Sequence, residues 1–386
     1  MEAPSHALSG RSSARARGLR CLFVAVATVA ALFPSTAPAQ QQAVRRWLYV
    51  ATPGIRDYLE YGGHGILVFD IDRGHAFARR IATGGVNEKG RPLNVKGICA
   101  SATTGRLYVS TIKQLMCLDL VSEQLVWERK YESGCDRMAI MPDGKTIYLP
   151  TLEGPFWYLV DAESGRVLRK INTDSGAHNT IVGLSGKFAY LAGLKSPLLR
   201  KVDTTTDAIT TTGPFSAGIR PFTVNADETR CYVNVNELLG FEVGDLTTGQ
   251  KLYAVTVKGF ERGRVKRHGC PSHGIGLTPD ESELWLTDAA NSRMHVFDLR
   301  TSSPVQVATV ELRDQPGWIT FSLDGQYAYP STGDVVDVAT RKVVARLGDE
   351  QGNSVQSEKM IEIHTAGGRP VRVGDQFGLG RARAAN

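Results

Sequence analysis

The chain has 386 residues, a formal net charge of +6, 42% hydrophobic residues and 22% charged ones. That balance excludes a disordered or fibrous polymer, and the length admits either two ordinary domains or one large all-β domain. The apolar density of a membrane segment occurs in one place, the N-terminus.

There, Arg11, Arg15, Arg17 and Arg20 precede an apolar run over residues 21–33, followed by Pro34 and by Ala37-Pro38-Ala39. A basic start, a short apolar stretch and small residues at −3 and −1 are the pattern of a cleavable secretory signal. The run is 13 residues long, whereas a transmembrane helix needs about 20. Residues 1–39 are therefore expected to be an export signal, which places the mature chain in the periplasm or outside the cell with no membrane span. The signal holds four Arg and one Glu, so the mature charge is about +3, which gives no reason to expect a nucleic-acid partner. Cys99, Cys117, Cys135, Cys231 and Cys270 remain, an odd number with no CxxC and no haem-attachment spacing.

From residue 47 onward the chain repeats. Seven short segments each carry a central aromatic: WLYVAT (47–52), LYVST (107–111), IYLPT (147–151), FAYLA (188–192), CYVNV (231–235), LWLTD (284–288) and YAYPS (327–331). Their aromatics, Tyr49, Tyr108, Tyr148, Tyr190, Tyr232, Trp285 and Tyr329, are separated by 59, 40, 42, 42, 53 and 44 residues. After each comes an apolar strand ending near Asp, a turn rich in Thr, Ser and Gly, and an alternating outer strand. All but the first unit have a further strand ahead of the aromatic one, closed by a tight turn such as Pro142-Asp143-Gly144. Four strands on a period of 40–45 residues make a propeller blade. The first unit lacks its inner strand, and residues 360–363 (MIEI) offer a replacement from the C-terminus. The expectation is an all-β seven-bladed propeller over residues 40–372, its ring closed by that C-terminal strand in the first blade, with a tail over 373–386.

The segment TPDESELWLTDAANSRMHVFD, residues 278–298, resembles the repeat of the YVTN-type β-propeller family: Pro-Asp-Gly, Tyr-Val-Thr-Asn, then an apolar strand ending in Asp. The likeness runs along nearly the whole mature chain and is strongest in this unit. It implies the fold and export more firmly than an activity, since its relatives include binding proteins, sugar-lactone hydrolases and propeller domains of periplasmic redox enzymes.

Propeller geometry assigns the insertions to one face. The long loops 53–65, 84–95 and 257–272 all fall on the side from which the inner strands start, and long loops on a rigid scaffold carry binding function. Aligning the units places Lys96, Asp136, His178, Arg220, His273, Gly317 and Lys359 at the channel mouth, with Arg137 and Trp318 one residue further on. Five of these seven aligned positions are Lys, Arg or His, so a focused positive potential and a small anionic ligand are expected. A protein partner docking on the same face is a second possibility, and so is a lactonase-like hydrolase with His178 or His273 as base and Arg220 as electrophilic clamp. Whether the chain is an enzyme stays open. His268-Gly269-Cys270-Pro271-Ser272-His273 has the residue types of a metal site, but Lys96, Arg220 and Lys359 occupy places that ligands would need, so no metal and no cofactor is expected. Of two aromatic-rich loops, Phe156–Tyr158 is expected to pack between blades and Tyr58–Tyr61 is left as a potential partner surface. The mature chain is expected to be a monomer.

Overall fold

The computed structural model describes residues 43–377, which form seven antiparallel sheets in a closed β-propeller. Blades 2 to 7 are four-stranded, run from the channel outward in chain order, and span residues 95–130, 139–172, 177–212, 219–256, 275–311 and 319–346. Blade 1 takes Val44–Thr52, Gly65–Asp70 and Ala76–Ile81 from the N-terminal end and Met360–Ala366 and Arg369–Val373 from the C-terminal end. The expected export signal lies outside the described residues. Among the described residues no helix is long and apolar enough to cross a membrane.

The repeated residues do repeated work. Tyr49, Tyr108, Tyr148, Tyr190, Trp285 and Tyr329 are all at most 1% exposed, and burying a ring of this size contributes roughly 2–3 kcal/mol. The rings also tie one blade to the next. Tyr108 of blade 2 donates to the Ala162 carbonyl of blade 3, and Tyr190 of blade 4 donates to Glu228 of blade 5. In blades 2 to 7 the Asp that ends the third strand caps the turn beyond it: Asp119, Asp203 and Asp245 each accept two backbone N–H groups from residues two and three further on, and Asp161, Asp298 and Asp337 accept one each. That is the Asx-turn device for a chain reversal. In the tight turns leading out of the inner strands, Gly144 and Gly325 take φ of 73° and 74°, where a side chain would be strained.

Closure follows the expected permutation. Val44–Thr52 pairs antiparallel with Met360–Ala366, Val44 opposite Ala366 and Val50 opposite Met360, so the first and last strands leave no open edge between them. Leu48, Val50, Leu67 and Phe69 of blade 1 then pack with Tyr329, Val335 and Leu347 of blade 7 in one buried cluster. His75, in the outer turn of blade 1, bonds the Tyr329 hydroxyl at 3.0 Å and meets Tyr327 edge-on.

The strand after closure was not legible in the sequence. Gly367 and Gly368 reverse the chain, and Arg369–Val373 pairs with the channel side of Met360–Ala366 as a fifth strand. The chain then enters the channel. The Gln376 side chain accepts from the Ile98 amide and donates to the Met138 carbonyl, while its own carbonyl accepts from the Trp318 indole. Phe377, 2% exposed, packs on Trp318 within the cluster holding Ile181, Ile219 and Phe222. The axis of the propeller is therefore filled by protein.

The five cysteines are buried free thiols. Phe156–Tyr158 opens a third strand and is packed inward as expected, with Trp157 fully buried.

Burial lowers the His75 imidazole to about 4. Its stabilisation is complete above pH 6.5 and is lost as pH falls toward 4, by about 3 kcal/mol. Chemical unfolding at a series of pH values is expected to show that loss, and His75→Asn, which tolerates the positive φ of 64°, is expected to flatten it.

Candidate functional site

Three of the expected mouth residues are aimed there by backbone irregularities. The inner strands of blades 2, 4 and 5 each lose register with the aromatic strand at their first residues: between Val95 and Gly97, Ala177 and Asn179, and Ile219 and Phe222. The residues left out are Lys96, His178 and, with Pro221 opposite Asn234, Arg220. A bulge leaves one residue out of the ladder and turns its side chain away from the sheet face, here toward the channel mouth.

The mouth is a cavity of about 190 Å³ lined by Lys96, Arg137, His178, Arg220, His273, Glu358 and Lys359, together with Ile55, Arg56, Asn94 and Arg267–Gly269 from the long loops. All three insertions thus contribute to one site. A wider groove of about 720 Å³ lies among the tight turns on the opposite face. Its carboxylates are already engaged, Asp280 with Thr278 and Ser282, Asp324 with Ser322, Gln326 and Arg46, Glu281 with the Ala226 amide and Glu283 with Arg341. The small cavity has the convergent chemistry.

Two buried carboxylates organise it. Asp136, fully buried behind the wall, receives the His178 Nδ1 at 2.7 Å and the Lys96 ammonium at 3.3 Å. Burial would push its carboxyl up, but His178, Lys96 and Arg137 outweigh that and hold it at about 2. The same burial drives His178 toward neutral imidazole despite Asp136. Glu358 is the second. Its Oε2 pairs with Arg137 and, at 2.9 Å, with Lys359; its Oε1 lies 2.9 Å from His268 Nδ1. Lys359 and Arg137 overcome burial and keep Glu358 well below the usual carboxylate range. Burial lowers Lys359 to about 7 even with Glu358 beside it.

The remaining expected residues have distinct places. The Arg137 guanidinium stacks 4.3 Å above Trp318, and Trp318 is beneath the floor, held to Gln376 and Phe377. Arg220 donates to the Asn236 amide oxygen and the Gly269 carbonyl, both neutral. His273 is buried with Nδ1 on the Gly317 carbonyl at 2.7 Å, and burial depresses it well below the usual imidazole range. Tyr61, from the aromatic first insertion, bonds Arg267 and lies under its guanidinium at 4.7 Å.

The ring is less uniformly cationic than alignment suggested. Alignment takes one residue per blade, Lys359 in blade 1, and its neighbour Glu358 is the anion that Arg137, Lys359 and His268 share. His268, in the sequence a member of a metal-like motif, also stands at the mouth. It reaches the mouth because the aligned residue of blade 7 is Gly317, where a Cβ would come within 1.9 Å of the His268 ring. A glycine where other blades present a side chain was the available signal.

No family model and no curated protein matches the chain. Among solved structures it is similar to dihydro-heme d1 dehydrogenase NirN in complex with DHE: TM-score 0.58, 14% identity, 85% of this chain and 72% of that one. It is also similar to the Myceliophteria thermophila Cps50 (Swd1) β-propeller domain: TM-score 0.53, 12% identity, 67% of this chain and 86% of that one. At such identities the likeness shows the propeller fold alone.

Asp136→Asn removes the anion shared by Lys96 and His178, and is expected to cost about 3 kcal/mol at neutral pH. Because the folded carboxyl titrates below its unfolded value, its stabilisation is present above pH 4 and is lost toward pH 2. Acid unfolding of the Asn variant is expected to be shallower across that window.

Proposed function

We propose that the protein is an exported propeller that captures a small anion, a carboxylate, phosphate or sulfate, at the channel mouth on the long-loop face. The observation that carries this reading is the charge on the cavity wall. Six cationic side chains, Arg56, Lys96, Arg137, Arg220, Arg267 and Lys359, face two carboxylates, Glu153 and Glu358, with Asp136 behind Lys96 and Asp314 paired to Arg267. The excess resides in a narrow recess with buried polar walls, where low dielectric strengthens attraction for an anion. Arg220 and Arg56 have only neutral partners for their side-chain hydrogen bonds among the described residues, so their charges are the most available to a ligand. Export to the periplasm or beyond is supported by the signal pattern of residues 1–39 and by the resemblance to YVTN-type repeats.

Calorimetry with inorganic phosphate, sulfate and acetate is the direct test. Binding that weakens with added salt and falls at least tenfold in Arg220→Ala is the expected result. A folded protein that binds none of the three would sink the reading, and a protein partner recovered on the same face would replace it.

A hydrolytic reading has one specific observation in its favour. The 2.7 Å contact of Asp136 with His178 Nδ1 orients a ring that burial keeps neutral, the arrangement of a positioned general base. Lactone opening abolished by His178→Ala, with anion binding retained, would turn the binding protein into an enzyme.

A further inference from the structure

One contact of Glu358, that with His268, is not one that neutral side chains make. His268 Nε2 lies 3.1 Å from the Gln315 carbonyl, which accepts only, so that nitrogen carries a proton. The other ring nitrogen, Nδ1, lies 2.9 Å from Glu358 Oε1, also an acceptor, so a positive group stands between them: a second ring proton or a bound cation. Beside them, the His273 ring lies 5.2 Å from that of His268, centre to centre, and since its Nδ1 donates to the Gly317 carbonyl, Nε2 is the nitrogen it can offer a ligand. One ligand atom from each of the three residues falls within 4.8 Å of the others, and all three residues are buried. Glu358 is divided: Oε2 takes both cations, Arg137 and Lys359, and Oε1 is turned to the two imidazoles.

We propose that His268, His273 and Glu358 Oε1 form a site for one divalent transition-metal ion at the base of the mouth. Two imidazoles and a carboxylate with further positions open are the donor set of zinc and non-haem iron(II) centres. Metal–nitrogen and metal–oxygen bonds of about 2.0–2.2 Å place neighbouring ligand atoms roughly 3 Å apart, which the 2.9 Å contact meets. Both rings have a backbone carbonyl on a nitrogen, Gln315 for His268 and Gly317 for His273, the outer support that orients metal-bound histidines. Gly317 supplies the room for the His268 ring. Arg137 and Lys359 reduce the charge an added ion finds, so the affinity is set below that of an all-anionic site. His268, His273 and Glu358 all line the cavity proposed for the anion, but binding of the ion does not depend on that reading.

The test uses zinc and cobalt(II) added singly to the purified metal-free protein, without the small anions. One equivalent is expected by calorimetry, with a cobalt(II) visible spectrum of reduced coordination number that zinc displaces. His268→Asn and Glu358→Gln are each expected to weaken binding at least tenfold, whereas Cys270→Ser and His64→Asn are expected to leave it unchanged. Circular dichroism checks that each variant is folded, and if Glu358→Gln is not, His268→Asn and the cobalt spectrum of the unaltered protein decide. Absence of binding by the folded protein, or binding that survives His268→Asn, would overturn the site and leave a shared proton as the positive group.

Discussion

Everything at the mouth depends on how the ring is closed. A ring of twisted sheets leaves unsatisfied backbone groups wherever its first and last strands fail to meet, and here the two chain ends satisfy each other through the pairing of Val44–Thr52 with Met360–Ala366. That pairing locates more than an edge. The segment leading into the closing strand brings Glu358 and Lys359 to the mouth, and the segment leaving it sends Gln376 and Phe377 into the axis. The carboxylate that organises the site and the aromatic that floors it are thus set by the same event that completes the fold.

The mouth itself is a case of charges placed where water is scarce. Asp136 and Glu358 remain ionised in burial because each has two or more cationic or donating partners, and each partner is in turn oriented by the carboxylate. A buried ion pair of this kind adds little net stability, but it fixes direction. Lys96, His178, Arg137 and Lys359 come from four different blades and still converge within one small cavity, because bulges and shared carboxylates leave them few alternatives.

The blades were legible because their signals are local. An aromatic that fills the space between sheets and an Asp that caps the next turn recur wherever the same small job recurs, so Tyr108 and Asp119 announce a blade without knowledge of its neighbours. The mouth residues Lys96, His178 and Arg220 were legible for a related reason, since each holds the same station relative to a tight turn. What escaped was non-local. Glu358 shares its station with Lys359, His268 arrives from an insertion to fill the space Gly317 leaves, and Gln376 finds its partners in blades 2, 3 and 7. No spacing along the chain encodes a contact between Ile98 and a residue 278 positions later.

The filled axis has a kinetic meaning. With Gln376 and Phe377 lodged across the bore, the anion proposed for the mouth would enter and leave on the long-loop side, past the segments around Arg56, Tyr61 and Arg267. Changes there would alter how long it stays as well as how readily it is caught.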